Sequence, residues 1–250
     1  MNALHISDLT FSYPDAPVLQ GINLTITPGE HIGVIGPNGV GKTTLFHSIC
    51  GVLKPTGGQI ELFGNPVRAG QFHPDVGLVF QYPDDQLFSP TVWDDVAFGP
   101  LNMGLSPEEA ARRTEVALQE TGMLAYRDRA PHHLSGGQKR MIAIAGIRAM
   151  QPRVVLYDEP SANLDIRSRR QLINFIKNSN ETILVSSHDL ELILEISDRV
   201  ILIDEGMIIA DGNPHDIMGN DALMEEHGLE RPHSLRPHIH TSHAAPHSHQ

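Results

Sequence analysis

Apolar and polar residues alternate twice within the first thirty positions, over 6–11 and 19–26, with Tyr13-Pro14-Asp15 between the two runs. A period of two puts one strand face on a core and the other in solvent. The spacing therefore predicts two antiparallel strands joined by a turn. A short apolar run at 31–35 leads into a glycine-rich loop, and helical spacing follows over 42–49. Pro55-Thr56-Gly57-Gly58 and Gly64-Asn65-Pro66 read as turns around a strand at 59–63, and 76–80 reads as a buried strand.

From about residue 83 to 150 the strand runs stop and apolar residues take helical spacing. Ser106-Pro107-Glu108-Glu109 is a helix start: a serine cap, a proline in the first turn and two acids facing the helix dipole. This stretch reads as an inserted helical lobe. Strands and helices then alternate again: strand 153–157, helix 167–177, strand 182–186, helix 190–196, strand 200–203, and a hairpin turn at Asp204-Glu205-Gly206 into 207–210. Such alternation implies a mostly parallel sheet covered by helices, an α/β fold. Residues 1–228 are expected to form this domain. Residues 229–250 are rich in His, Pro and Ser, with few large apolar residues, and read as a tail unable to bury a core.

Composition narrows the picture. A chain of 250 residues, 40% hydrophobic and 5% aromatic, suits one large α/β domain or a main domain with an inserted lobe. No apolar run reaches the ~18 residues of a membrane span. The first residues lack the charged start and apolar core of a signal peptide. The single cysteine, Cys50, excludes an internal disulfide and a thiolate cage, and a cytoplasmic protein is expected. A formal net charge of −12 disfavours nucleic acid as a partner.

The loop between the strand at 31–35 and the helix at 42–49 carries the chemistry. Gly36-Pro37-Asn38-Gly39-Val40-Gly41-Lys42-Thr43 fits a phosphate-binding loop in its required strand–loop–helix setting. Its glycines let successive N–H groups turn around a β-phosphate, and the helix start adds the positive end of its dipole. Lys42 supplies a point charge between β- and γ-phosphates, Thr43 a hydroxyl for Mg²⁺, and Thr44 reaches toward an α-phosphate. Val154-Val155-Leu156-Tyr157-Asp158-Glu159 is an apolar strand ending in two acids, which is costly unless they act. Beside a phosphate loop, Asp158 is the expected Mg²⁺ holder, and Glu159 the group that orients or deprotonates water.

Leu134-Ser135-Gly136-Gly137-Gln138 opens a further helix, with Ser135 as its cap. Taken alone it is either an ordinary capped start or a generic anion site. One nucleotide does not need two glycine-rich helix starts, so the pair suggests two nucleotides held between two chains.

The order of these motifs resembles the nucleotide-binding subunits of ABC transporters over roughly residues 1–215: the phosphate loop, Gln81 after a strand, Leu134–Gln138, Asp158-Glu159 and His188. The resemblance implies a phosphate-loop ATPase core with a mostly parallel sheet, an N-terminal antiparallel β subdomain and an inserted helical lobe. It implies ATP and Mg²⁺ as ligands, and catalysis by Glu159, His188 and Gln81. Tyr13 looks like the aromatic that stacks on adenine, and Gln81 like a Mg²⁺ and water contact. Ser135, Gly136 and Gly137 resemble the signature that meets the partner's γ-phosphate, and Asp165 lies in a loop that faces across an ATPase dimer, with the same chain or a homologue.

Val79 to Phe88 and Thr91 to Asn102 are similar to the energy-coupling-factor subgroup and its cobalt and nickel members. That likeness implies an integral membrane coupling subunit, a substrate-binding membrane subunit, a peripheral place on the cytoplasmic membrane face, and import of cobalt or nickel. Asp84, Asp85, Asp94 and Asp95 are expected to make the partner groove acidic, ready for arginines. The tail histidines His233, His238, His240, His243, His247 and His249 suit Ni²⁺ or Co²⁺ by chemistry, or form an inert hydrophilic tail. A vitamin or other micronutrient as cargo, a soluble non-transport ABC ATPase, and a metal-storing tail remain alternative readings.

Overall fold

The computed structural model describes residues 1–236. Strands β1 (Leu4–Tyr13) and β2 (Ala16–Ile26) form the N-terminal hairpin, in register from Leu4 opposite Ile26 to Phe11 opposite Leu19. Both run longer than the alternation predicts. Register shifts between Ile6 and Leu9, with Asp8 at φ 47°, let β1 bulge and continue. Strand β3 (His31–Ile35) leads through the glycine loop to helix α1 (Lys42–Ile49). Strands β4 (Gly57–Leu62) and β5 (Asn65–Pro66) complete the antiparallel sheet in the order β2-β1-β4-β5.

Strand β6 (Val76–Val79) precedes three helices, α2 (Val92–Asn102), α3 (Pro107–Glu120) and α4 (Gly136–Met150). Side chains cap all three: Thr91, Ser106 and Ser135 accept from the N–H groups of Asp94, Glu109 and Gln138. The chain then re-enters the sheet as β7 (Val154–Asp158), α5 (Ile166–Lys177), β8 (Thr182–Ser186), α6 (Leu190–Ile196), β9 (Arg199–Asp204) and β10 (Met207–Gly212). The second sheet has the order β10-β9-β3-β8-β7-β6, parallel except for the β9–β10 hairpin. The tight turn of that hairpin needs positive φ, supplied by Glu205 (47°) and Gly206 (76°).

Both faces of this sheet are covered, which explains its unbroken apolar runs. Along β7, Val155 and Tyr157 face the core under α2 to α6, while Val154 and Leu156 face the core shared with α1 and the antiparallel sheet. The sheet is thus the wall between two hydrophobic cores, and its strand ends are held from both sides.

Two short helices, α7 (Pro214–Met218) and α8 (Asp221–Glu226), follow. They are too short to show helical periodicity, although Asn213 and Asn220 cap them. The tail boundary expected at 229 is corrected. Leu229 and Leu235 pack against the core, and Pro232 is buried. Ser234 donates its N–H (3.1 Å) and hydroxyl (2.6 Å) to the Glu191 carboxylate on α6. A low density of apolar residues hid these two anchors.

Candidate active site

Strands β3, β7 and β8 run parallel, with Val34 opposite Ser186 and Ser186 opposite Asp158. Their carboxyl ends therefore deliver three segments to one place, the side of an open α/β sheet where ligands bind. The glycine loop follows β3, Asp158-Glu159 ends β7, and Ser187-His188 follows β8.

The loop is shaped by close approach. At Gly36 (φ 149°) an added Cβ would lie 2.0 Å from the carbonyl oxygen of Ile203, so only glycine fits. Gly41 (φ 105°) precedes α1 without a side-chain cap, which leaves the first N–H groups of that helix to face a ligand. Lys42 is buried and donates to the carbonyl oxygens of Gly36 (2.7 Å) and Pro37 (2.8 Å). Burial holds its ammonium below the usual lysine range, and Glu159 and Asp158 pull the other way.

Asp158 is buried with both carboxylate oxygens engaged. Thr43 Oγ1 donates to Oδ2 (2.7 Å), and Ser186 Oγ donates to Oδ1 (2.5 Å). Glu159 sits at φ 46°, a strained conformation for a side-chain-bearing residue. Its N–H donates to the Ser186 carbonyl (3.0 Å), and its Oε2 accepts from the His188 backbone N–H (3.1 Å). His188 Nε2 stands 3.3 Å from Glu159 Oε1 but out of hydrogen-bonding line, so Oε1 is buried without a hydrogen-bond partner.

These groups line one cavity of about 260 Å³: Asn38, Gly39, Gly41, Lys42, Thr43 and Thr44 from the loop and α1, with Gln81, Asp158, Glu159, His188, Tyr13 and Val18. Gly36, Pro37 and Val40 stand behind it. The first two turn carbonyls onto Lys42, and Val40 packs on the core. Tyr13 is half exposed at the rim, edge-on to Phe11 at 5.0 Å. Val18 was not singled out from the sequence, because an apolar strand residue carries no mark of facing a ligand.

The residues fit a hard divalent cation. Thr43 and Asp158 present oxygen ligands side by side, Gln81 shares the cavity, and oxygen donors are what Mg²⁺ takes. Glu159, one of whose oxygens is buried without a hydrogen-bond partner, lines the same cavity.

Ser135, Gly136, Gly137 and Asp165 do not line this cavity. Ser135 and Gln138 form a reciprocal capping box at the start of α4. A Cβ on Gly137 would meet Ser168 Oγ at 2.2 Å, and Ser168 in turn is held by Asp165, the cap of α5. Gly136 meets nothing within 4 Å. The two glycines therefore differ: packing within the chain requires the second and not the first.

Sequence reasoning also missed Arg140, in the body of α4. It is 1% exposed, and its two terminal nitrogens donate to the carbonyls of Phe80 and Gln81. Burial lowers its pKa to about 10, against a raising influence from Asp158. The sequence sets it beside Lys139, just ahead of the apolar run 141–145, and nothing there separates the buried cation from its neighbour.

The acidic groove is corrected. Asp95 is buried and accepts from the N–H groups of Phe88 (3.0 Å) and Ser89 (2.9 Å). Asp84 pairs with Lys139 (2.6 Å), and Asp94 accepts from the Thr91 hydroxyl (2.6 Å). The cleft beside them, about 440 Å³, is apolar instead, walled by Leu87, Phe88, Phe98, Ile147 and Met150. Asp84, Asp94 and Asp95 had local donors within reach, which the sequence pattern does not show, whereas Asp85 is exposed as expected.

In the tail, His233 lies in a short turn beside Ser234, and His238, His240, His243, His247 and His249 lie outside the described residues. Among the described residues no group of three or more His, Cys, Asp or Glu could hold a metal ion, and no helix is long and apolar enough to cross a membrane.

The family model for ABC transporters matches residues 19–162. A Synechocystis protein provisionally described as an ABC transporter ATP-binding protein is 53% identical over 94% of this chain and 83% of its own length. The energy-coupling factor transporter ATP-binding protein EcfA of Methanothermobacter thermautotrophicus is 43% identical over 92% of this chain and 76% of its own length. The solved structure of cbiO1 from Clostridium perfringens, described as part of the ABC transporter complex cbiONQ, superposes with a TM-score of 0.79 at 36% identity, over 90% of this chain and 94% of that one. With the nucleotide-type cavity, the fold and these relatives in agreement, the chain belongs to the ABC transporter family as an ATP-binding, ATP-hydrolysing subunit.

Proposed function

We propose that this chain is the ATPase of an energy-coupling-factor importer for cobalt or nickel, working as a dimer on the cytoplasmic face of the membrane. The observation that carries the reading is the convergence of Lys42, Thr43, Gln81, Asp158, Glu159 and His188 on one cavity, while Gly136 stands open to the outside. Lys42 holds the β- and γ-phosphates, and Tyr13 stacks on the base. Thr43 and Asp158 hold Mg²⁺, which when bound neutralises charge on the phosphates. Glu159 accepts a proton from the attacking water, and His188 and Gln81 fix that water and the γ-phosphate. Ser135, Gly136 and Gly137 of a second subunit, identical or homologous, close over the same nucleotide, with Asp165 at the boundary. Closure on ATP and reopening after hydrolysis move the membrane partner.

The apolar cleft beside Phe88 and Phe98 supports docking of an apolar segment of an integral membrane subunit. Both rings are well exposed, at 66% and 49%, and pack edge to face with centroids 4.9 Å apart. The relatives support the transporter type: two are named for energy-coupling factor transport and one belongs to a multi-subunit complex. Metal as cargo rests on the likeness of residues 91–102 to cobalt and nickel members and on the histidines of the tail. The test is uptake of radiolabelled Ni²⁺ and Co²⁺ by cells lacking this chain. Uptake is expected to fall, and to return with the intact chain but not with Glu159→Gln. Unchanged metal uptake with loss of a vitamin would replace the cargo and leave the ATPase assignment standing.

A further inference from the structure

The Gln81 peptide is held from outside the nucleotide cavity. Gln86 follows a single turn of 3₁₀ helix at Pro83–Asp85. Its side-chain amide is used at both ends: Oε1 accepts from the N–H of Phe80 (3.1 Å), and Nε2 donates to the carbonyl of Ala143 in mid-α4 (2.8 Å). Arg140, three residues earlier on α4, donates to the carbonyls of Phe80 and Gln81. The backbone leading into Gln81 is thus fixed at its N–H by Gln86 and at its carbonyls by Arg140. Both holds depend on the helix that Ser135 caps. Gln86 also lines the apolar cleft beside Leu87 and Phe88.

We propose that Gln86 is a positioning residue for ATP hydrolysis. It sets where Gln81 stands in the nucleotide cavity by fixing the peptide that leads into it. This rests on the role assigned above to Gln81. An amide suits the task because it accepts on one side and donates on the other. Leucine of similar size fills the space and makes neither bond, which frees the Phe80 N–H from α4. Glutamate keeps the acceptor but sets a carboxylate oxygen against the Ala143 carbonyl, so it should be no better than leucine.

The test uses the full chain with ATP and Mg²⁺, comparing wild type, Gln86→Leu, Gln81→Ala and the double variant for kcat, KM and Tm. Gln86→Leu is expected to lower kcat at least about tenfold, on the scale of the two hydrogen bonds lost, with KM for ATP nearly unchanged and Tm lower by only a few degrees. The double variant should be no slower than Gln81→Ala alone, because a residue that acts through another adds nothing once the other is gone. Wild-type turnover by Gln86→Leu overturns the proposal. Losses that multiply in the double variant, or a joint change of kcat, KM and Tm, also overturn it by making Gln86 a general structural staple. Wild-type turnover by Gln81→Ala overturns the role of Gln81 and this proposal with it. A slow Gln81→Ala beside a wild-type Gln86→Leu removes only the present one.

Discussion

Adjacent glycines at the start of α4 offer a pair of substitutions that separate folding from function. In Gly137→Ala the new methyl would stand 2.2 Å from Ser168 Oγ and 2.7 Å from Ser168 Cβ. Rotating the hydroxyl away relieves the first contact and gives up its 3.2 Å bond to Asp165. The second involves a backbone-fixed atom, so the start of α5 must shift. Overpacking of this kind costs about 1–3 kcal/mol. The better helix propensity of alanine returns at most about 1 kcal/mol, and less in a first turn. The net expectation is a loss of about 1–2 kcal/mol, or roughly 2–8 °C in Tm for a domain of this size.

Gly136→Ala differs, since its Cβ meets nothing within 4 Å. Stability should be unchanged or slightly raised, by a few tenths of a kcal/mol. If a phosphate held by a second subunit approaches this backbone, the same methyl blocks it. Turnover should then fall roughly 10²-fold, the scale of losing a preorganised anion contact. Thermal unfolding and steady-state ATP hydrolysis over a range of protein concentrations report the two effects separately. A Gly136→Ala protein that is folded and hydrolyses ATP within twofold of wild type refutes the reasoning.

Four further outcomes are expected. Glu159→Gln should bind ATP as wild type does and lose at least about 10²-fold in turnover, as removal of a general base does, read by nucleotide binding beside steady-state hydrolysis. A chain ending at 228 loses the Leu229 and Leu235 contacts and the Ser234–Glu191 bonds. It should be about 2–4 kcal/mol less stable than one ending at 236, measured by urea midpoint. Burial pushes the Cys50 thiol up to about 12 from a usual 9.0. The native thiol should therefore react with a disulfide reagent at pH 8.5 far more slowly than the urea-unfolded one. Because the folded chain keeps this proton after the unfolded chain has lost it, the Cys50 contribution to stability is whole below pH 9 and falls as pH rises toward 12. The advantage of wild type over Cys50→Ala should shrink over that window.

The parts legible in the sequence are those whose cause is local. The runs around Val34, Leu156 and Leu184 announce buried strands because the sheet is covered on both faces. The phosphate loop is legible because glycine spacing, Lys42 and Thr43 are a backbone requirement and a charge requirement together. What escaped depends on where a side chain goes. Val18 is one apolar strand residue among many until the hairpin folds over the cavity rim. Arg140 looks like a helix-surface cation until its guanidinium is found under the Gln81 loop. Leu229 and Leu235 look like strays in a polar tail until they are seen against the core. In each case the missing information is a long-range contact, and no local pattern encodes it.

Two pairs of adjacent acids, Asp94-Asp95 and Asp158-Glu159, show why the same local signal divides. In each pair one carboxylate is buried and hydrogen-bonded: Asp158 through both oxygens, Asp95 through Oδ1 alone, its Oδ2 being buried without a partner. The donors differ. Asp95 accepts from the backbone N–H groups of Phe88 and Ser89, so releasing it means unmaking the turn into α2 and leaving donors unmet. Asp158 accepts from the hydroxyls of Thr43 and Ser186. A hydroxyl rotates at little cost and has lone pairs of its own, so Thr43 can stop donating to the carboxylate and offer its oxygen to a cation the two then share. An acid held by hydroxyls at the mouth of a cavity can exchange its partners for a metal ion, whereas an acid held by its own loop's backbone cannot. That difference in donors, rather than acidity or burial, makes Asp158 the metal-holding candidate and Asp95 a fastening of the fold.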